Sequence, residues 1–118
     1  MVRIKRVYDE PDRQDGLRIL VDRVWPRGLK KTAARIDAWR WDLAPTAALR
    51  KWFRHDPKKW EEFQRRYRDE LEARGKLEEL QELAERAERE TITLLFGARD
   101  EAHNNAVVLK ALLEEVLR

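Results

Sequence analysis

The chain has 118 residues, a formal net charge of +3, and charged side chains at 42% of its positions, which is the size and composition of one soluble domain. It contains no cysteine and no serine, so disulfides, thiolate metal sites and serine or cysteine nucleophiles are excluded. No apolar run is long enough for a membrane span and no secretory signal pattern is present, so no membrane partner is expected.

Two strands are predicted in the first part of the chain. The segment Val2 to Tyr8 alternates apolar and polar residues, and Leu17 to Val24 is apolar enough to lie centrally in a sheet. About eight residues separate the strands, including Pro11 and the pair Asp15-Gly16. We therefore expect a hairpin-like connection between them rather than a helical crossover.

The middle of the chain is predicted to be irregular. Residues 25–31 form a loop, 32–36 form a brief helical turn, and 38–43 form an extended segment that Pro45 ends. We interpret four tryptophans as packing residues because their spacing is typical of a core. They are Trp39, Trp41, Trp52 and Trp60.

Helices and one further strand are predicted for the rest of the chain. Apolar spacings of three and four, with capping residues at the ends, predict the helices, and the run TITLLF predicts a buried strand. The predicted segments are a helix from Thr46 to Arg54, a helix from Pro57 to Arg74 with Gly75 after it, a helix from Lys76 to Arg89, a strand from Thr91 to Phe96 and a final helix. This order favours a single α/β domain over residues 1–118 with a mostly parallel sheet.

Two stretches carry the candidate site, VDRVWPRGLKK (21–31) and LLFGARDEAHNNA (94–106). Ligands of open α/β sheets bind beyond the carboxyl ends of strands, where helix N-termini also attract anions. If the two strands lie side by side, we expect Arg23, Arg27 and Arg99 to converge with the last helix on one anion-sized pocket. Trp25 would supply an apolar wall, and Gly28 would allow close approach to a ligand.

Each of these residues also has a structural interpretation. Arg23 can pair with Asp22, and Trp25 can cover the core. Asp100 has the spacing of an N-cap for the last helix. His103 is a candidate ligand-binding residue, but its position also suits a first-turn surface histidine. Asn104 and Asn105 form an unusual pair of poor helix formers in a first turn, which favours a hydrogen-bonding role for at least one of them.

No metal or cofactor is expected. The acidic residues of the first strand and turn have no spacing that fixes a metal site, and no glycine-rich nucleotide loop or hydrolase motif is present.

The segments DGLRILVDRVWPRGLKK, APTAALRKWF, HDPKKWEEFQRRYRDEL and TLLFGARDEAHNNAVVL together resemble the YeaO-like branch of the domain-of-unknown-function family 488. The resemblance covers nearly the whole chain in order. It implies a cytoplasmic bacterial protein with a Rossmann-like layered α/β architecture and no established activity. The family's motif positions correspond here to Asp22, Arg23, Trp25, Pro26, Arg27, Gly28, Asp100 and Asn104.

One departure from the family pattern bears on mechanism. Relatives often carry histidine after the first asparagine of the last motif, where this chain has Asn105, and more distant relatives can place Cys-His in that loop. His103 is not a ready substitute, because residues two apart on a helix point to different faces. A histidine- or thiol-based mechanism is therefore not expected for this chain, whereas anion binding by arginines and backbone N–H groups is compatible with the change.

The sequence leaves three functions open. The favoured one is a site for a small anionic molecule bearing phosphate or carboxylate, with Asp22 or Asp100 as the candidate general acid or base if the protein is an enzyme. The alternative is a nucleic-acid-binding module, since residues 1–35 contain ten Lys/Arg against five Asp/Glu. The third is a structural protein solvated by its Arg/Glu helices, a composition that also suits adaptation to heat. The oligomeric state is left open.

Overall fold

The computed structural model describes residues 1–116 of the chain. Within them lies a four-stranded sheet in the order β1-β4-β2-β3, and all of its strand pairs are parallel. The strands are β1 (Val2–Arg6), β2 (Leu17–Leu20), β3 (Ala38–Trp39) and β4 (Ile92–Phe96). The helices are α1 (Lys31–Ala34), α2 (Ala47–Phe53), α3 (Trp60–Ala73), α4 (Leu77–Ala87) and α5 (Asn105–Val116). The predicted α/β class and the parallel sheet are confirmed.

The connection between the first two strands was predicted wrongly. β1 and β2 both pair with β4 and run parallel to it, so they cannot form a hairpin. The last strand of the chain lies between them, and its five residues are all buried. A strand covered on both faces and paired on both edges is strongly apolar, which is why the run ITLLF lies at this position.

The two faces of the sheet are covered differently. Alternate strand residues such as Ile19, Leu94 and Phe96 pack in the main core with helices α2 to α5. Leu20 and Leu95 point to the other face, where a smaller cluster forms with Val7 and loop residues that include Trp25. The loop after β2 therefore closes the minor face of the sheet.

The helix boundaries follow local capping chemistry. The hydroxyl of Thr46 accepts a hydrogen bond from the Leu49 N–H, and the Asp56 carboxylate accepts one from the Lys58 N–H ahead of Pro57. Both predicted helix starts are thereby confirmed, although residues 57–59 form a 3-10 turn before α3.

The last helix begins later than predicted. It starts at Asn105, and the side-chain oxygen of Asn104 accepts a hydrogen bond from the Val107 N–H at 3.1 Å. Asp100 accepts hydrogen bonds from the Ala102 and His103 N–H groups instead. Asp100 therefore stabilises a separate turn and does not cap α5, which is a correction of the predicted N-cap.

The tryptophan prediction was also partly wrong. Trp41 is 55% exposed and Trp39 is 38% exposed, whereas Trp52 and Trp60 pack against the main core. The strand that carries Trp39 is a two-residue edge strand, so its outer side has no neighbouring strand to bury the indole. No helix within the described range is long and apolar enough to cross a membrane.

Candidate functional site

The candidate site lies where β2 and β4 end side by side. The Asp22 carboxylate, two residues beyond β2, accepts a hydrogen bond from the Gly97 N–H at 2.8 Å just after β4. A Cβ atom at Gly97 would lie 3.1 Å from the Asp22 Oδ2 atom, so the absence of a side chain lets the two loops meet closely. The two loops that the sequence singled out therefore reach the same edge of the sheet.

Two asparagines secure the helix that follows β4. The Asn105 amide donates to the Val21 carbonyl at 2.8 Å and to the Asp22 Oδ1 atom at 3.3 Å. The buried Asn104 amide donates to the Asp100 carbonyl at 3.0 Å. Both residues have the hydrogen-bonding role that their unusual pairing indicated, and Asn105 ties α5 directly to the end of β2.

Burial is the main influence on the Asp22 carboxyl, and it raises the pKa of this group above its ordinary value. The hydrogen bonds from Gly97 and Asn105 lower the pKa, as do the electrostatic interactions with Arg50 and His55, but burial outweighs them. Asp22 forms no ion pair with any residue in the described part of the chain. Arg50 and His55 therefore act on its charge without direct contact.

A cavity of about 460 Å³ opens beside this carboxylate. Arg23 borders it from the loop after β2, and three residues from α2 and its C-terminal end contribute further positive or titratable groups: Arg50, Lys51 and His55. His55 and the preceding Arg54 both have positive φ, at 55° and 49°, which are strained angles for residues with side chains. His55 borders the cavity from this turn, and Asp56 then caps the next helical turn.

The three basic side chains at the cavity are free of ion pairs. Arg23, Arg50 and Lys51 are exposed, and none forms a salt bridge or side-chain hydrogen bond within residues 1–116. Some other exposed arginines are paired, as Arg68 is with Glu115 at 3.0 Å, whereas Arg27 has no ion pair within the described residues. The cavity therefore has an uncompensated positive edge above one carboxylate.

Other residues of the first motif lie on the far side of the loop. The Trp25 indole packs in the minor-face cluster and donates from Nε1 to the Leu29 carbonyl at 2.8 Å. Arg27 is exposed and its carbonyl accepts a hydrogen bond from the Tyr8 hydroxyl, while Gly28 has a φ of 78° with open space around it. None of these three borders the cavity.

The second motif is similarly divided. His103 packs edge-on against Trp60, with 5.1 Å between ring centroids, and its Nδ1 atom lies 2.9 Å from the Asp100 Oδ2 atom. Hydrogen bonds from the Ala102 N–H and from His103 lower the pKa of Asp100. Arg99 is exposed, and neither it nor Asp100 or His103 borders the cavity. The expected convergence of Arg23, Arg27 and Arg99 is therefore not found, and Arg23 alone of the three reaches the cavity.

Sequence reasoning missed the contribution of α2. Arg50, Lys51 and His55 belong to a segment that was interpreted only as a short helix and a helix stop. The one available signal was the concentration of basic residues in LRKWFRH without the glutamates that accompany arginines in the later helices. Within the described range, no group of three or more His, Asp or Glu residues is arranged to hold a metal ion.

Fold and site together define a small α/β protein with a parallel sheet and a cavity of positive character at its carboxyl edge. A family model described as "Inactive DUF488-N3 subclade" matches residues 1–118, so the chain belongs to this family. The resemblance to domain-of-unknown-function family 488 is thereby confirmed.

Two similar bacterial proteins illustrate the relationship. The uncharacterized protein Rv3073c of Mycobacterium tuberculosis is 41% identical over 112 residues, which cover 95% of this chain and 92% of the relative. The uncharacterized protein YeaO of Escherichia coli is 40% identical over 111 residues, which cover 92% of each chain. No solved structure matches the chain.

Proposed function

We propose that the protein binds a small anionic molecule in the cavity at the carboxyl edge of the sheet. The single observation that carries this proposal is the set of basic side chains at the cavity, Arg23, Arg50 and Lys51, which have no ion-pair partner in the described residues. Basic groups held around a concave site focus a positive potential and attract a phosphate or carboxylate. The cavity volume of about 460 Å³ lies in the range typical of small-molecule sites.

The cavity also holds a group that could exchange a proton with a bound molecule. Asp22 is partly buried, and burial raises the pKa of its carboxyl, as is common for acid or base groups at functional sites. Asp100 is held by His103 outside the cavity, so we assign no proton transfer to it. If the protein has a catalytic activity, Asp22 is the residue that we propose as its acid or base.

Thermal denaturation with added phosphate, sulfate and small carboxylates tests the proposal. A ligand at a hundred times its Kd stabilises the folded state by about 2.7 kcal/mol, which raises Tm by several degrees for a domain of this size. We expect such a rise for the wild type with at least one of these anions. We expect it to be lost in Arg50→Gln, because this substitution removes a charge at the cavity edge.

Arg27→Gln is the matched control. Arg27 is also exposed and without an ion pair in the described range, but it does not border the cavity. The ligand-induced rise in Tm should therefore persist in this variant, and neither substitution should change the unliganded free energy of unfolding by more than about 0.5 kcal/mol. A rise that is lost in Arg27→Gln and kept in Arg50→Gln would place the site elsewhere.

Single-stranded nucleic acid is the second candidate ligand. The ammonium of Lys31 lies 5.8 Å from the Trp25 ring centroid, and Trp25 lies 5.5 Å from the exposed Trp39 in an edge-on contact. A contiguous row of a cation and aromatic rings is typical of surfaces that stack bases. A short DNA whose affinity falls steeply with salt and is lost in Trp39→Ala would favour this candidate.

A further inference from the structure

We propose that the ligand of the cavity combines its anionic group with two adjacent N–H donors on a flat ring, the combination that a guanine nucleotide presents. This inference rests on the proposed function, since it assigns a second chemical group to the same ligand. It starts from the Asp22 carboxylate, which borders the cavity and which a simple anion does not explain.

The Asp22 carboxylate has unused capacity to accept hydrogen bonds. Its Oδ2 atom receives the Gly97 N–H at 2.8 Å and its Oδ1 atom receives the Asn105 amide at 3.3 Å. An ionised carboxylate offers about four lone-pair positions and no donor, so each oxygen can accept once more. A ligand atom that meets Asp22 should therefore be a donor, and a bare anion placed there would be repelled.

The basic side chains that border the cavity form no ion pair with this carboxylate. Arg50 and His55 act on Asp22 electrostatically, yet neither forms an ion pair with it. Arg23 and Lys51 also border the cavity without pairing with Asp22 or with any other described residue. A single ligand can therefore place an anionic group among the basic residues while its donor end reaches Asp22.

Part of the cavity lining is apolar and aromatic. Phe53 and Phe63 border the cavity and stack on each other with 4.2 Å between ring centroids, and Pro45 also borders it. Such a lining suits a flat ring, because dispersion contacts with aromatic rings do not require a matching polar group. The volume of about 460 Å³ also leaves room for far more than one phosphate group.

Guanine matches the carboxylate more closely than adenine does. Its ring N–H and exocyclic amino group point in the same direction, so they can donate in parallel to the two oxygens of one carboxylate. The corresponding edge of adenine places an amino donor beside a ring nitrogen that only accepts. An ionised carboxylate facing that nitrogen leaves two acceptors opposed, which disfavours binding.

Isothermal titration calorimetry with guanosine 5′-monophosphate, adenosine 5′-monophosphate and inorganic phosphate tests the inference on the wild type and on Asp22→Asn. We expect the guanine nucleotide to bind at least about tenfold more tightly than the adenine nucleotide. Asp22→Asn keeps an acceptor for the Gly97 N–H but loses one of the two ligand-facing acceptors. It should weaken the guanine nucleotide by about tenfold or more and leave inorganic phosphate equal or tighter, since a negative charge is removed.

The sign of the Asp22→Asn effect separates the two proposals. If both nucleotides bind equally and both bind more tightly to Asp22→Asn, the donor-bearing ligand is wrong while anion binding stands. If neither the nucleotides nor phosphate binds to the wild type, both proposals are wrong. Arg50→Gln should weaken all three compounds, and circular dichroism verifies that both variants are folded.

Discussion

β2 is flanked by two carboxylates, Asp15 directly before the Gly16 that precedes the strand and Asp22 two residues after its last residue. Asp15 is fully buried and is held by Arg18, at 2.5 Å, and by Lys5, at 3.2 Å. Asp22 is partly buried and receives only a backbone N–H and an amide. One carboxylate is neutralised by contact with cations, and the other is hydrogen-bonded but has no cation in contact.

The arginines near the two carboxylates also differ in whether their guanidinium groups have partners within the protein. The Arg18 guanidinium, 4% exposed, also donates to the carbonyls of Ala34 and Arg35, so its hydrogen-bonding capacity is used within the protein. Arg50 beside Asp22 is exposed and has no such partners within residues 1–116. The amino end of β2 is therefore stabilised internally, whereas the carboxyl end keeps charges available for a ligand.

The largest expected difference between the two carboxylates is in how much each contributes to the free energy of unfolding. Asp15→Asn should lower the free energy of unfolding by about 3 to 5 kcal/mol, because it leaves the buried Arg18 charge without its partner. Asp22→Asn should change it by less than about 1 kcal/mol, because no buried cation loses a partner. Urea denaturation of the two variants measures both values. Equal losses would contradict the distinction drawn between the two carboxylates.

The second difference is in the dependence of stability on pH. Burial acts to raise the pKa of Asp15, but hydrogen bonds from Asp12, Lys5 and Arg18 together bring it below the ordinary value of 3.8. Its stabilising contribution is therefore present above pH 3.8 and is lost as pH falls through the folded-state pKa. Burial raises the pKa of Asp22 above 3.8, so its contribution is present below that pH and is lost as pH rises through the folded-state pKa.

Denaturation of the wild type and the two asparagine variants between about pH 3 and pH 7 checks these signs. The advantage of the wild type over Asp15→Asn should shrink as pH falls below 3.8. The stability of Asp22→Asn relative to the wild type should instead increase as pH rises above 3.8. Parallel pH profiles for the two variants would show that the two carboxyls do not differ in this way.

The smallest expected effect concerns the asparagine pair. Asn105→Ala removes the donor to the Val21 carbonyl and to Asp22, which should cost about 1 kcal/mol of stability and raise the pKa of Asp22 further. Asn104→Ala is the matched control, since losing its bond to the Val107 N–H should cost a similar amount without changing that pKa. Carboxyl titration followed by NMR measures the pKa in both variants. An unchanged Asp22 pKa in Asn105→Ala would remove Asn105 from the site.

Much of the site's location could be predicted from local patterns. An apolar strand that runs into charged and glycine-containing sequence is typical of the carboxyl edge of a sheet, and Asp22 and Arg23 follow β2 and border the cavity there. Asparagine is a poor helix former, so two adjacent asparagines at the start of a helix indicated a hydrogen-bonding role. Trp25 and Arg27 were expected at the same pocket, but neither borders the cavity. The direction of these side chains depends on the path of the loop after β2, which a local pattern does not predict.

The α/β class and the helix starts at Thr46 and Asp56 could be predicted from the sequence, because they depend on short-range periodicity and capping. The position of β4 between β1 and β2, the meeting of the two loops and the approach of Arg50 and His55 to Asp22 became known from the folded structure alone. Strand order and cavity walls arise from contacts between residues far apart in the chain, such as Asp22 and Gly97, which are 75 positions apart. A local sequence pattern does not predict such contacts. The basic face of α2, for example, is equally compatible with bulk solvent and with the edge of a binding site.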